Sequence, residues 1–298
     1  RGPALAPGAK KAVAVVQLEN LTQDRSLDWL DRGVAELLTT NLAQAATLDV
    51  ISTERVQSLI RRRVQGEQKL PPGLAGEVAR EARADLFLSG ALMKLGPRLR
   101  LDLRLQETAT GRVLFSDKVE GEDAQAVFAM VDQATARILE KLAPGHPAAR
   151  PNVAASMTAN REALRAYEEG ISYLDRMLLE EAKSAFERAT QRDPQFAMAH
   201  YQLASALLMR GDQVAGRRAQ AEAGRLATSL SLPRQQQLLI QARQMDADGR
   251  LEESERLLET IAREFPREIE PRMLLGESRT FGWSAAESKP VLEEIVRL

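Results

Sequence analysis

The sequence predicts two domains in series, an α/β mixed-sheet domain followed by an all-α repeat solenoid. Three observations lead to this prediction. Short apolar runs alternate with helical stripes in the first half of the chain. Residues 98–107, "RLRLDLRLQE", alternate strictly between leucine and other residues up to Leu105, which is typical of a half-exposed strand. From residue 161 onward the apolar period is helical, and Gly or Pro interrupts it roughly every 12 to 20 residues.

The composition limits the classes of function. The 298 residues are enough for two domains. A formal net charge of −1 gives no bulk attraction to nucleic acid or to an anionic membrane, and neither is expected as a partner. The chain has no cysteine, which excludes disulfides, thiol catalysis and thiolate metal sites. No run of 18 apolar residues is present, so no membrane span is expected in this sequence.

The α/β domain is predicted over residues 12–142, after a linker at 1–11. It is predicted to begin with a buried strand at 12–18, a helical stripe from Leu27 to Leu42, a strand at 48–52 and a helix at 53–65. A short helix and a strand in "DLFLSGALM" follow. The domain ends with a hairpin, formed by 98–107 and "RVLFSDKVEGE", and a helix at about 123–142. This order predicts a mixed sheet of about five strands, with the antiparallel hairpin at one side.

The outward face of the strand at 98–107 is the candidate ligand surface of this domain. Arg98, Arg100 and Arg104 recur at a period of two, so they share one face of the sheet. Such a face suits an acidic ligand or a covering partner. A second basic run, at residues 61–63, lies opposite the apolar stripe of its helix and has no aromatic residue near it. We interpret that run as a solvated face and not as a nucleic-acid footprint.

Residues 143–160 lose periodicity and predict an interdomain linker, and residues 161–298 then show a repeating pattern of small and large residues. Counted from Ala163, positions 8, 11, 20, 24, 27 and 32 hold Gly170, Tyr173, Ala182, Phe186, Ala189 and Pro194. These are characteristic positions of the 34-residue tetratricopeptide repeat, a pair of closely packed antiparallel helices. The predicted repeats span about 163–196, 197–234, 235–268 and 269–298, the last one incomplete.

The second repeat departs from this pattern. Gly216 and Gln220 stand where alanine and a large apolar residue are expected. The second and third repeats begin 38 residues apart, at 197 and 235, so about four residues are predicted to be inserted, most simply within "TSLSLPR".

The candidate peptide-binding groove follows from the repeat register. Tetratricopeptide arrays present positions 2, 5, 9, 12 and 13 of each first helix on a concave surface. Here these positions hold Leu164, Tyr167, Ile171, Leu174 and Asp175, then Met198, Tyr201, Ser205, Leu208 and Met209, then Leu239, Arg243 and Met273. Since Tyr167 and Ile171 replace the Lys and Asn that grip a peptide carboxylate, chaperone-tail binding is not expected.

Such a wide apolar stripe should not stay open to water. We expect a helix or an extended apolar peptide to cover it, from a partner or from the carboxy terminus, or else the α/β domain to fold back over it. Two methionines among the five positions of the second repeat favour an adaptable binding surface. Ordinary packing between repeats is the alternative.

Four segments of the first domain together resemble the amino-terminal domain of the TolB-like family, which occurs beside tetratricopeptide repeats in bacterial signalling proteins. They are "VAVVQLENLTQDRSLDWLDRGVAELLTTNL", "LDVIS", "ARADLFLSGAL" and "LRLDLRLQETATGRVLFSDKVEG", and the order matches over roughly 130 residues. Gln17 departs from the family, which often has proline there.

This resemblance implies a non-enzymatic sensory or scaffolding module that binds protein or peptide through its repeats. It implies the regulatory carboxy-terminal part of a signalling protein, such as a serine/threonine kinase or an adenylate cyclase, whose catalytic part precedes it. Where a membrane span precedes the pair of domains, the module lies outside the cytoplasm; a cytoplasmic location is the alternative. A stand-alone protein of cell-envelope assembly is the alternative function.

No catalytic residue, cofactor site or metal site is predicted. The sequence contains no P-loop, dinucleotide fingerprint or nucleophile elbow. Of the two histidines, His146 falls in the predicted linker and His200 at a packing position of the second repeat. An enzyme in the α/β domain remains as an alternative, but it would need converging acid, base or nucleophilic groups. The oligomeric state is left open.

Overall fold

The computed structural model describes residues 10–64, 70–71, 73–123, 126–142, 152 and 156–282, the side chains as far as 276 and without that of Gln17. The chain divides into two compact units, Arg1–Ala159 and Asn160–Leu298. The predicted linkers at 1–11 and 143–160 and the end of the fourth repeat lie mostly outside the described residues. An α/β unit followed by a helical solenoid is the predicted fold class, and it is confirmed.

The first unit contains one five-stranded sheet with the strand order β2-β1-β3-β4-β5. Its strands are β1 (Lys11–Asn20), β2 (Leu48–Val50), β3 (Leu86–Leu95), β4 (Arg98–Glu107) and β5 (Val113–Gly121). β1 pairs in parallel with β2 and β3, whereas β3, β4 and β5 are successively antiparallel. The predicted mixed sheet, with its antiparallel hairpin at one side, is therefore present.

Helices cover both faces of the sheet around β1. They are α1 (Leu30–Leu42), α2 (Thr53–Arg63), α3 (Ala75–Glu81) and α4 (Val127–Leu142). Ala14 and Val16 of β1 share a buried cluster with side chains of α2 and α3. Because successive strand residues point to opposite faces, Val13 and Val15 face the side on which α1 packs against β1. The nearly continuous apolar run of β1 is thus explained by burial on both faces.

Over β4 the sheet is covered on one face only. Leu99, Leu101, Leu103 and Leu105 are buried, at 0% to 2% exposure. The residues between them belong to the other face, where α3 packs on Phe87 at the beginning of β3 and leaves a cleft over β4. The strict alternation of residues 98–107 therefore corresponds to one packed face and one open polar face.

The second unit is helical throughout its described part. Its helices are α5 (Arg161–Asp175), α6 (Leu179–Arg192), α7 (Ala197–Met209), α8 (Gln213–Ser229), α9 (Arg234–Ala247), α10 (Leu251–Glu264) and α11 (Glu270–Gly282). They pack as the consecutive pairs α5–α6, α7–α8 and α9–α10, and α11 follows as the first helix of a fourth repeat. The residues that lengthen the second repeat extend α8 to 17 residues, against 14 in α6 and in α10, and do not form a longer loop.

The first repeat packs as its motif predicts. Ala182, Phe186 and Ala189 are completely buried, which confirms the predicted stripe on α6. Gly170 of α5 is where the two helices come closest, because a Cβ atom there would lie 2.5 Å from the Phe186 ring. Asn160 caps α5 by accepting hydrogen bonds from two backbone amides, and it donates to the carbonyl of Arg192 at the end of α6.

The second repeat reaches the same architecture with different chemistry. Gln220 is 2% exposed, and its Nε2 donates to the carbonyl oxygen of Ile240 in α9 at 3.0 Å. The predicted large apolar contact is thus replaced by a hydrogen bond to the next repeat. A Cβ at Gly216 would lie 2.7 Å from the Leu208 side chain, so glycine leaves room for that leucine.

Candidate functional site

Six of the predicted groove residues lie in the buried interior of the protein. They are Leu164, Tyr167, Ile171, Met198, Tyr201 and Leu239, and none is more than 6% exposed. As a binding surface the groove stays a prediction. The predicted groove residues that are half-buried or exposed are Leu174, Asp175, Ser205, Leu208, Met209, Arg243 and Met273.

Tyr167 shows why the concave positions are buried. Its ring centroid lies 4.9 Å from that of Phe196 and 5.9 Å from that of Phe186, both in tilted geometry. These three aromatic side chains join α5, α6 and the start of the second repeat. Tilted aromatic pairs at this separation are favourable contacts. Tyr167 therefore contributes to packing between repeats.

Tyr201 joins helices that are two repeats apart. Its hydroxyl donates to Oε1 of Glu270 at 2.8 Å, and Arg243 interacts with the same hydroxyl. Burial raises the pKa of the Tyr201 phenol well above its ordinary value, and the neighbouring Glu270 carboxylate raises this pKa further. The phenol therefore stays protonated at neutral pH and acts as the hydrogen-bond donor.

Among the described residues of the second unit, the exposed large apolar side chains concentrate where each first helix turns into its second. We call Met177, Met209, Val214 and Leu251 the turn edge; their exposures are 62%, 51%, 66% and 51%. Leu174 and Leu208, two predicted groove residues, are half-buried beside it in sequence. Met273 of α11 is also exposed, at 50%, but it lies outside these turns.

The turns of neighbouring repeats lie side by side. Arg210, directly after Met209, forms an ion pair with Glu180 at the start of α6. This pair connects the turn of the second repeat to that of the first. Because successive repeats of a solenoid stack on their neighbours, we expect the turn of the third repeat, which carries Leu251, to continue this edge. Sequence analysis assigned Met209 to the candidate groove and did not identify Met177, Val214 and Leu251, although apolar residues at normally polar turn positions were a usable signal.

The α/β unit contains an open cleft of about 750 Å³ on the polar face of its sheet. β3 and β4 supply its floor, with Ser89, Asp102 and Gln106 among the lining side chains. One wall is α3, with Glu77 and Arg80, and the turn at residues 108–111 forms another side. Gln106 Nε2 donates to Ser89 Oγ at 3.0 Å across the floor.

The three predicted arginines of β4 have different environments. Arg104 lines the cleft and is exposed. Arg100 instead donates through Nε to Asp102 Oδ1 at 2.8 Å. Arg98 lies at the end of the strand, opposite Leu95, and is outside the cleft lining. The shared face is thus present, but only Arg104 reaches the cavity.

The basic run at residues 61–63 is partly engaged within the protein. Arg63 forms an ion pair with Glu81 of α3, and Arg62 approaches the same carboxylate at 3.9 Å. These contacts connect α2 to α3. Arg62 and Arg63 therefore have a carboxylate partner within the protein, and no ligand is needed to explain their charges.

His200 occupies a packing position. Its Nε2 lies 3.0 Å from the carbonyl oxygen of Pro194, in the geometry of a donated hydrogen bond. Burial lowers the pKa of His200, and the Pro194 carbonyl opposes this shift.

Among the residues that the structure describes, no group of three His, Asp or Glu side chains is arranged to hold a metal ion. In the same residues, no helix combines the length and the apolar character needed to cross a membrane.

Comparison with known proteins gives similarity to solved structures only. No protein-family model and no curated protein matches the chain. The carboxy-terminal domain of LpoB from Salmonella enterica is 16% identical, with 40% of this chain and 88% of that one covered and a TM-score of 0.30. TolB from Acinetobacter baumannii is 11% identical over 45% of this chain and 29% of that one, with a TM-score of 0.31.

A third similar structure is YrrB, a tetratricopeptide-repeat protein described as having an unusual peptide-binding site. It is 14% identical, with 58% of this chain and 75% of that one covered and a TM-score of 0.31. None of these three TM-scores reaches 0.5. The function is therefore inferred from the chain's own residues.

Proposed function

We propose that this chain is a non-enzymatic interaction module whose helical repeats bind a protein or peptide along the turn edge. The observation that carries the proposal is the exposure of Met177, Met209, Val214 and Leu251 in three consecutive repeats. Single exposed apolar residues are ordinary, but exposed apolar residues that recur near the turns of successive repeats indicate an interaction surface.

The chemistry of the turn edge fits an apolar partner surface. Two of its four side chains are methionines, whose flexible thioethers adapt to different partners. The Arg210–Glu180 ion pair beside it supplies a polar border. An apolar centre with polar residues around it is the usual organisation of a protein interface.

Within the second unit, a binding role is favoured over an enzymatic one by what its buried polar groups do. The Tyr201 hydroxyl donates to Glu270, and Gln220 Nε2 donates to the Ile240 carbonyl. Ser254 Oγ donates to the Ala242 carbonyl at 3.0 Å. These buried polar groups serve contacts between helices. None of the three is directed at a substrate.

The test compares two variants of the chain. The first carries Met177→Gln, Val214→Ser and Leu251→Gln, which remove the apolar character of the turn edge. The matched control carries Arg217→Gln and Arg218→Gln, two exposed residues of α8 beyond the turn. Partners are captured with the unmodified chain from cells of the source organism, identified by mass spectrometry and purified. The Kd of each variant is then measured by calorimetry.

We expect the control to bind the purified partner as the unmodified chain does. The turn-edge variant should bind it at least about tenfold more weakly, because a few apolar residues carry most of the energy of an interface. Equal Kd values for a folded turn-edge variant and the control would contradict the proposal.

We also propose that the module is the regulatory part of a bacterial signalling protein, outside the cytoplasm where a membrane span precedes it. The support is the resemblance of the first domain to the TolB-like family. The gene sequence upstream of the codon for Arg1 tests this role. A kinase or cyclase domain there agrees with it, and a lipoprotein signal would favour the alternative role in cell-envelope assembly.

A further inference from the structure

The cleft of the α/β unit contains two arginines whose charges are not engaged elsewhere. Arg80 projects from α3 and Arg104 from β4, and both line the cavity and are exposed. Within the described residues neither has an ion pair or a side-chain hydrogen bond, whereas Arg63 and Arg100 of the same unit are both paired. The cleft thus combines two available guanidinium groups from two different elements.

The acidic groups of the cleft limit the charge of a ligand. Asp102 is neutralised by Arg100, and Glu19 has interactions of its own within the protein. Glu77 precedes Arg80 by three residues on α3 and also lines the cavity. With one such carboxylate nearby, a singly charged anion is favoured over a polyphosphate. Arginine recognises the planar carboxylate through two parallel hydrogen bonds.

A second, independent feature of the cleft wall is an unsatisfied hydroxyl. Thr108 lines the cavity, is 6% exposed, and its Oγ1 has no hydrogen-bond partner within the described part of the chain. A buried hydroxyl without a partner costs free energy. The Oγ1 atom is itself buried in the structure, so donation to a ligand in the cleft requires rotation about the Cα–Cβ bond of Thr108.

We propose that this cleft is a binding site for a small ligand that carries a carboxylate group. Arg80 and Arg104 hold the carboxylate, and Thr108 supplies a further hydrogen bond. Phe87 and Met93, which also line the cavity, offer apolar contact to the rest of the ligand. Two sources have this chemistry, a free organic acid and the carboxy terminus of a peptide. The site is separate from the turn edge and does not depend on it.

The experiment is a titration of the full chain followed by NMR of the arginine Nε–Hε signals. The probes are propionate, N-acetyl-dialanine with a free carboxylate, the same peptide with an amidated carboxy terminus, and inorganic phosphate. Sodium chloride keeps the ionic strength constant, since exposed charges also respond to salt. Variants Arg80→Gln, Arg104→Gln and Thr108→Val remove one proposed group each, and Arg98→Gln is the control on the same strand outside the cleft.

We expect saturable shifts of the Arg80 and Arg104 signals with propionate or with the free-carboxylate peptide, and none with the amidated peptide. The more tightly bound of the two carboxylates identifies the source. Arg80→Gln and Arg104→Gln should each weaken binding roughly tenfold or more, as loss of a charge-assisted hydrogen bond does, and Arg98→Gln should leave it unchanged. Thr108→Val should weaken binding while leaving the melting temperature unchanged or higher, because its hydroxyl has no partner without a ligand.

Three results would overturn the proposal. The first is the absence of saturable shifts with either carboxylate probe. The second is equal weakening by Arg98→Gln and Arg104→Gln, which would mean that only general charge is involved. The third is tighter binding of phosphate than of both carboxylates, which would assign the cleft to a different class of ligand.

Discussion

The concave positions and the turn edge of the helical unit carry similar apolar residues in opposite environments. Tyr167 at a concave position is 1% exposed and packs between two other aromatic rings. Val214 of the turn edge is 66% exposed. Hydrophobic character alone therefore does not distinguish a binding surface from a packing surface in this solenoid. What distinguishes them is whether the next repeat already contacts the side chain.

The largest expected loss of stability is at a concave position, Tyr167. Tyr167→Ala removes a fully buried ring that joins α5, α6 and the second repeat. We expect a loss of roughly 3–5 kcal/mol in the free energy of unfolding, as for other large aromatic residues replaced by alanine. Denaturant unfolding of the chain measures it. A loss within the experimental error would show that Tyr167 is a surface residue. The concave positions would then not differ from the turn edge.

Two glycines of the helical unit, Gly170 and Gly216, sharpen the comparison at the level of single atoms. Gly170→Ala places a Cβ about 2.5 Å from the completely buried Phe186 ring, which cannot move aside, so we expect a loss of roughly 1–3 kcal/mol. Gly216→Ala places its Cβ 2.7 Å from the Leu208 side chain, which is half-buried and not fully enclosed as Phe186 is. There the gain in helix propensity, about 0.5–1 kcal/mol, should offset the strain. Equal losses in thermal unfolding would contradict this difference.

A smaller effect is expected on the turn edge. The variant with Met177→Gln, Val214→Ser and Leu251→Gln should unfold within about 0.5 kcal/mol per site of the unmodified chain, because exposed side chains contribute little to stability. The free energy of unfolding is measured by the same denaturant titration as for Tyr167→Ala. A loss of several kcal/mol would mean that the turn edge belongs to the packed interior.

The smallest effect concerns His200, at the junction of the first and second repeats. Because burial lowers the pKa of His200, the unfolded chain binds a proton more readily than the folded chain. Its contribution to stability is therefore complete above its ordinary pKa of about 6.5 and is lost as the pH falls through the folded value. Glu222 and Asp193 oppose this shift, and Arg225 adds to it.

His200→Gln keeps a hydrogen-bond donor but does not titrate. We expect the unfolding free energy of the unmodified chain to decrease more steeply than that of this variant between about pH 7.5 and pH 5.5. Parallel pH profiles would contradict the assigned pKa shift of His200. His146 is present in both proteins and cancels from the comparison.

Much of the fold could be predicted from the sequence because its periodicities are strong. The alternation of residues 98–107 gave the packed and open faces of β4, and the spacing of Ala182, Phe186 and Ala189 gave the contact between α5 and α6. The buried contact that Gln220 makes in the second repeat could not be predicted. Gln220 is explained only by the carbonyl of Ile240, which lies 20 residues further along the chain.

The candidate sites were harder to predict than the elements. Arg104 was identified from its period of two, but its partner in the cleft, Arg80, belongs to a short helix that only the tertiary structure places beside β4. The burial of Tyr201 likewise depends on Glu270, 69 residues away. A repeat register assigns a residue to a face of a helix, but the curvature of the whole array decides whether that face is open.

Hydrogen exchange of the full chain, with and without its purified partner, tests the central claim most directly. If the turn edge is the binding surface, amides of the turns at residues 175–179, 209–214 and 247–251 gain protection when the partner is bound, while those in the middle of α5 and α7 do not change. Added protection confined to the middle of α5 and α7, with unchanged exchange at the three turns, would show that the partner binds the concave groove and would contradict the account.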